Sequence, residues 1–239
     1  MQLSKLQLHE LKDVAAQAAK EAGLFIFQQR NQQLNHIQKK GGNTAASQIV
    51  TSVDYHSQEL ILSHIFPTCQ KFELGLLTEE SITKDTDEEH YNNSRLLKDY
   101  FWCIDPLDGT LPFVEGTAGY AVSIALVSRQ GESIIGVIYD PVNGVLYEAV
   151  KDSGCWKDGT NWKLNNVPNG SDFMFISDRS FQKLSSYELI KNSIVELSKT
   201  LGCKQVVERK FGGAVMNAIW TLEEAPGCYL KLPKKEDGE

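Results

Sequence analysis

The sequence predicts a mixed α/β fold, and three observations carry that prediction. Leu11, Val14, Ala15, Ala18, Ala22 and Phe25 recur at steps of three and four, which makes one apolar face of a long helix over about residues 6–30. Residues 120–127, 133–139 and 145–150 are apolar runs parted by tight turns at Gln130-Gly131 and at Asp140-Pro141-Val142-Asn143-Gly144, the pattern of an antiparallel meander, which Gly154-Cys155-Trp156 extends. In the last third, runs of the two periods alternate. A strand over 173–177 precedes a helix over about 185–200, a strand over 204–208, a helix opened by Phe211-Gly212-Gly213-Ala214, and a short strand over 228–232. No repeat, low-complexity tract or linker interrupts the chain, so residues 1–239 read as one domain.

Between the first helix and the meander the pattern is less regular. Residues 31–48 are polar around Lys39-Lys40-Gly41-Gly42-Asn43 and read as a loop or hairpin of the kind that forms lids. Ile49-Val50-Thr51-Ser52-Val53-Asp54 reads as a short strand ending in an acid, with Asp54 as the N-cap of a helix that places Leu60, Ile61, His64 and Ile65 on one face. Residues 72–77 read as another strand, closed by Thr78-Glu79-Glu80-Ser81. Residues 84–98, with Asp85, Asp87, Glu88 and Glu89, read as a solvated excursion.

Composition narrows the function classes. A chain of 239 residues is long enough to bury a substantial core. No apolar run approaches the roughly 20 residues of a membrane span, and the N-terminus leads into a polar-faced helix, so a cytoplasmic protein is expected. A net charge of −7 argues against attraction to nucleic acid polymers or anionic membranes. It also means that an anionic substrate would need a local cation. The five cysteines (Cys69, Cys103, Cys155, Cys203, Cys228) form no Cys-x-x-Cys pair and read as reduced thiols. His9, His36, His56, His64 and His90 have no zinc-ligand spacing.

The chemistry concentrates in Tyr100-Phe101-Trp102-Cys103-Ile104-Asp105-Pro106-Leu107-Asp108-Gly109-Thr110. An apolar strand ends at one carboxylate, Pro106 turns the chain, and a second carboxylate follows three positions on. Asp105, Asp108 and the Leu107 carbonyl are hard oxygen donors of the class magnesium takes. Gly109 and Thr110 offer backbone N–H groups to a phosphate at the expected start of a helix. The Thr110 hydroxyl can orient a proton. The pattern points to phosphate transfer to water, with cations stabilising the entering and leaving oxygens. Taken pair by pair, the same residues are ordinary turn formers; the whole string after a strand is more specific. The covalent haloacid-dehalogenase route uses Asp-x-Asp-Gly-Thr near the N-terminus. Here the acids are one residue further apart, and about 100 residues precede them.

These residues resemble the inositol monophosphatase superfamily of magnesium-dependent, lithium-sensitive phosphatases. Val50-Thr51-Ser52-Val53-Asp54 is similar to its Val-Thr-x-x-Asp, and Thr78-Glu79-Glu80-Ser81 to its Gly-Glu-Glu-Ser with Thr for Gly. Residues 105–110 with Phe113 match Asp-Pro-x-Asp-Gly-Thr-x-x-Phe, and the segments 122–126 and 136–141 resemble the two strands that follow it. The resemblance implies a layered αβαβα sandwich and a homodimer. It implies about two or three magnesium ions held by Glu79, Asp105, Asp108 and the Leu107 carbonyl. Asp54, Glu79 and Thr110 would activate the attacking water, Gly109 and Thr110 would hold the phosphate, and Gly213 and Ala214 would line the substrate side. The superfamily takes a further ligand from a Trp-Asp dipeptide that this sequence does not contain. That implies a fold lacking its C-terminal element, with Asp237 as a poor stand-in in a terminal tail. Lys231 aligns where inositol-specific members carry a Glu, and a cation there suits a second phosphate. The expected substrate is therefore an inositol monophosphate or a 3′(2′),5′-bisphosphate nucleotide. The alternative is a catalytically weak protein that binds a phosphorylated ligand.

Overall fold

Helices α1 (Lys5–Lys40) and α2 (Asn43–Phe72) lie against a seven-stranded sheet, and this assembly carries most of the core. The structure is a computed structural model. It describes residues 2–40, 43–80, 95–163, 170–178, 181, 184–209, 212–224 and 226–231, without the side chains of 31–51 and 96. The chain forms two compact units, Met1–Trp162 and Lys163–Glu239, each described here by itself.

In the first unit the sheet order follows the chain: β1 (Gly75–Thr78), β2 (Tyr100–Asp108), β3 (Ala121–Ser128), β4 (Ser133–Asp140), β5 (Val145–Val150), β6 (Gly154–Lys157) and β7 (Thr160–Asn161). β1 pairs β2 in parallel, and every later pair is antiparallel, so the expected meander is present. One face of it is dry: Trp102, Ile104, Ile124, Leu126 and Val137 are buried with Leu11, Ala15, Ala18, Ala22 and Ile26 of α1. Small residues let the helix sit close. A Cβ on Gly23 would lie 2.2 Å from the Tyr139 ring, so only glycine fits that crossing.

Three expectations fail between residues 31 and 74. The backbone is helical over 31–40 and 43–48, where a loop was expected, because Gln, Lys and Ala are strong helix formers even without an apolar stripe. Residues 49–54 are helix rather than strand, since α2 runs through them and overrides the β-branched preference of Ile49, Val50, Thr51 and Val53. Asp54 is therefore an interior helix residue and not an N-cap. The strand expected over 72–77 is shifted to Gly75–Thr78, after α2 ends at Phe72. The excursion expected over 84–98 lies outside the described residues up to 94; Arg95–Leu97 form a 3-10 turn.

The second unit has a parallel three-stranded sheet in the order β10 (Gly227–Leu230), β8 (Phe173–Ser177), β9 (Val206–Arg209). Helices α4 (Tyr187–Thr200) and α5 (Ala214–Glu223) supply the crossovers that parallel strands require. These strands and helices are the ones expected from the sequence. The five cysteines are free, and burial pushes the Cys69 thiol up to about 12.

Candidate functional site

The site is built where β1 and β2 end. Because they run parallel, both C-terminal ends open on the same edge of the sheet. Thr78 is registered with Ile104, and the Glu79 N–H donates to the Ile104 carbonyl at 3.2 Å, which carries Glu79 in beside Asp105. On the other side of β2, the ladder to β3 breaks between Asp105 and Asp108. The Leu107 N–H donates to Asp105 Oδ1 at 3.1 Å, an Asx-type turn that ties the first acid into the loop. Such irregularities re-aim side chains. Leu107 packs into the core, and Gly109 adopts φ 91°, a conformation that favours glycine. The short helix α3 (Thr110–Glu115) starts directly after it, with Thr110 exposed, as the sequence led one to expect.

Electrostatics make the acids an interacting group. Burial, the Glu79 charge, a hydrogen bond with Glu79 and the Asp108 charge together push the Asp105 carboxyl up to about 8, against a smaller opposing pull from the Leu107 N–H. Carboxyls gathered this closely leave a deficit of positive charge that a cation placed among them would relieve. Asp54, on the buried face of α2, is pushed up to about 7 by burial and then by the Glu80 and Glu79 charges. Glu80 is raised as well, by burial and by Glu79. Five acids, from α2, the segment after β1 and the end of β2, thus form one interacting cluster: Asp54, Glu79, Glu80, Asp105 and Asp108.

This donor set fits a hard divalent ion in chemistry. The candidates are carboxylate oxygens and one carbonyl, and the raised Asp105 carboxyl marks a deficit of positive charge. Among the described residues, however, no three His, Cys, Asp or Glu stand close enough to form a cage. Glu79 and Asp105 touch, while Asp108 acts on Asp105 through its charge. Of the residues expected at the substrate side, Gly213 is the N-cap of α5 and Ala214 its first residue. Lys231 is exposed one position beyond β10. All three belong to the second unit. Asp237 lies outside the described residues.

Two contacts near the acids escape sequence reasoning. Ser57 Oγ donates to the Pro106 carbonyl at 3.0 Å. Gln58 Oε1 accepts from the Glu80 N–H at 3.3 Å, and its Nε2 donates to the Glu80 carbonyl at 3.5 Å. The signal was present as the i, i+3, i+4 spacing from Asp54, but it is legible only once residue 54 is known to be helical. In the second unit Asn217, fully buried, clamps Gly212 in the same way through both its amide atoms.

Parallel strand ends bearing an acid pair, a bulged Asp-Pro-Leu-Asp-Gly-Thr loop and a mixed α/β scaffold define the class as a phosphatase, a hydrolase of phosphorylated small molecules. Residues 7–236 match the model of the inositol monophosphatase family, and the chain belongs to that family. It is 31% identical over 230 residues to inositol monophosphatase 2 of Solanum lycopersicum, covering 94% of this chain and 74% of that protein. It is 31% identical over 174 residues to the 3′(2′),5′-bisphosphate nucleotidase CysQ of Buchnera aphidicola, covering 70% of this chain and 59% of that protein. In structure it resembles inositol monophosphatase II of Staphylococcus aureus, with a TM-score of 0.62 and 25% identity over 88% of this chain and 70% of that one. No described helix is long and apolar enough to cross a membrane.

Proposed function

We propose that the protein is a magnesium-dependent phosphomonoesterase of an inositol monophosphate or a 3′(2′),5′-bisphosphate nucleotide. The observation that carries this reading is the Glu79–Asp105 carboxyl pair, set at adjacent parallel strand ends beside the Asp108-Gly109-Thr110 loop. Glu79, Asp105, Asp108 and the Leu107 carbonyl would hold the metal. When bound, magnesium supplies Lewis acidity and a more acidic water. Asp54, with its carboxyl pushed up to about 7, is suited to take a proton from the attacking water near neutral pH. The Gly109 and Thr110 N–H groups orient the phosphate, and the Thr110 hydroxyl helps to place the water. The family resemblance assigns Gly213 and Ala214 to the substrate side and Lys231, exposed in the second unit, to a second anionic group. The names of the tomato and Buchnera relatives support the two substrate classes.

Phosphate release from inositol phosphates, sugar phosphates and adenosine bisphosphate, with and without magnesium, tests the reading. Magnesium-stimulated turnover that Asp105→Asn abolishes is expected, and its absence across the panel sinks the proposal. One observation favours a second reading: among the described residues no three acids converge into a cage. A weak phosphate-ligand binder would then show calorimetric binding of inositol monophosphate without hydrolysis.

A further inference from the structure

One turn of α2 touches both halves of the acid site. Asp54, Ser57 and Gln58 lie at i, i+3 and i+4, so they share a helix face, and all three are buried. Gln58 is only 4% exposed, and it grips both backbone groups of Glu80, the neighbour of Glu79. Ser57, fully buried, holds the Pro106 carbonyl between the two acids of the β2 loop. Neither contact is needed to pair the sheet, since β1 and β2 already exchange ladder hydrogen bonds up to Thr78 and Ile104. What the two side chains constrain lies beyond that register, in the segments that carry Glu79 and Asp105.

Helix α2 runs between these points, with Pro67 one residue before the far one. Farther along it, Trp102 Nε1 donates to Thr68 Oγ1 at 2.9 Å, in the dry core beneath the strand. Ser57 and Thr68 are eleven residues apart on α2, about 16 Å at the rise of an α-helix. Pro106 and Trp102 are four residues apart on β2, about 13 Å in an extended chain. Residue 57 meets residue 106 and residue 68 meets residue 102, so α2 and β2 run in opposite directions and are joined at both ends. Gln58 then projects from the pinned end to the Glu79–Glu80 loop.

We propose that Ser57 and Gln58 are positioning residues which hold the Glu79 loop and the Asp105–Asp108 loop at the spacing a divalent cation requires. Neither side chain contacts the ion or the substrate. Gln58 acts through the Glu80 backbone and Ser57 through the Pro106 carbonyl. A neutral amide is suited to that place, because it donates and accepts at once without adding charge to a cluster that already holds Asp54, Glu79 and Glu80. Loss of a group that orients metal ligands weakens metal binding by roughly 10- to 100-fold.

The proposal rests on the reading that the acids hold magnesium, and the test separates the two. Magnesium affinity is measured by titration calorimetry on the full chain for wild type, Gln58→Met and Ser57→Ala, alongside thermal unfolding in EDTA. Gln58→Met keeps the side-chain volume and removes both hydrogen bonds. Ser57→Ala removes only the hydroxyl, and it decides the matter if Gln58→Met does not fold. The expected result is magnesium binding weakened about 10- to 100-fold in a folded variant. The magnesium concentration for half-maximal turnover should rise by the same factor, with kcat recovered at saturating magnesium. Affinities within threefold of wild type in a folded variant overturn the positioning role and leave the phosphatase reading intact. Wild-type protein that binds no magnesium overturns both.

Discussion

Asp105→Asn should change how the metal-free protein responds to pH. The Asp105 carboxyl is held up to about 8 in the fold against 3.8 for the free side chain, so the folded state favours its protonated form. The stabilisation is complete below pH 3.8 and is lost as pH rises through about 8. At about 1.4 kcal/mol per pKa unit, the whole span bounds the loss at about 6 kcal/mol. Because the loop can relax towards water, about 2–3 kcal/mol is the expected figure for Asp105. Urea unfolding in EDTA at pH 5 and pH 8 measures it. Wild type should lose stability between the two, and Asp105→Asn, which keeps shape and hydrogen bonding without charge, should lose about 2–3 kcal/mol less. Magnesium should raise the wild-type midpoint more at pH 8 than at pH 5, since the cation competes with the proton on Asp105. Equal pH slopes in wild type and Asp105→Asn would falsify the claim that burial and the neighbouring acid charges hold the Asp105 carboxyl up.

Three further outcomes follow from other contacts. Asp54→Asn should fold normally yet lower magnesium-stimulated turnover by about 10²- to 10⁴-fold, the range for losing a proton acceptor, as steady-state phosphate release would show. Lys12 Nζ lies 2.6 Å from Glu148 Oε1, and the Glu148 side chain is only 6% exposed, so Lys12→Met should cost about 3–5 kcal/mol in chemical unfolding. Adding Glu148→Leu should recover most of that loss. A Cβ on Gly212 would lie 2.6 Å from Asn217 Oδ1, so Gly212→Ala should break the amide clamp and cost about 1–3 kcal/mol, seen as earlier exchange of amide protons in α5.

The strands of the meander and the helix 185–200 were legible because alternation and the 3.6-residue period are local properties. Asp105, Asp108, Gly109 and Thr110 were legible for a related reason: a strand, a turn and a helix start sit in one uninterrupted string. Asp54 was found as an acid but given the wrong element. Ile49, Val50, Thr51 and Val53 carry strand preference, and only packing of α2 against α1 and the sheet makes that segment helical. The sequence pattern starts the following helix at Asp54, which makes Asp54 its cap and not an interior residue sharing a face with Ser57 and Gln58.

By itself, then, the sequence determined the residue types of the acid site and the elements whose signals are short-range. Tertiary structure decided what those residues do to one another. The parallel pairing of β1 with β2 brings Glu79 to Asp105 across 26 positions of chain, and burial first, then the Glu79 and Asp108 charges, raise the Asp105 carboxyl to about 8. Burial and pairing depend on contacts between distant segments, and neither is written in the spacing of residues along the chain.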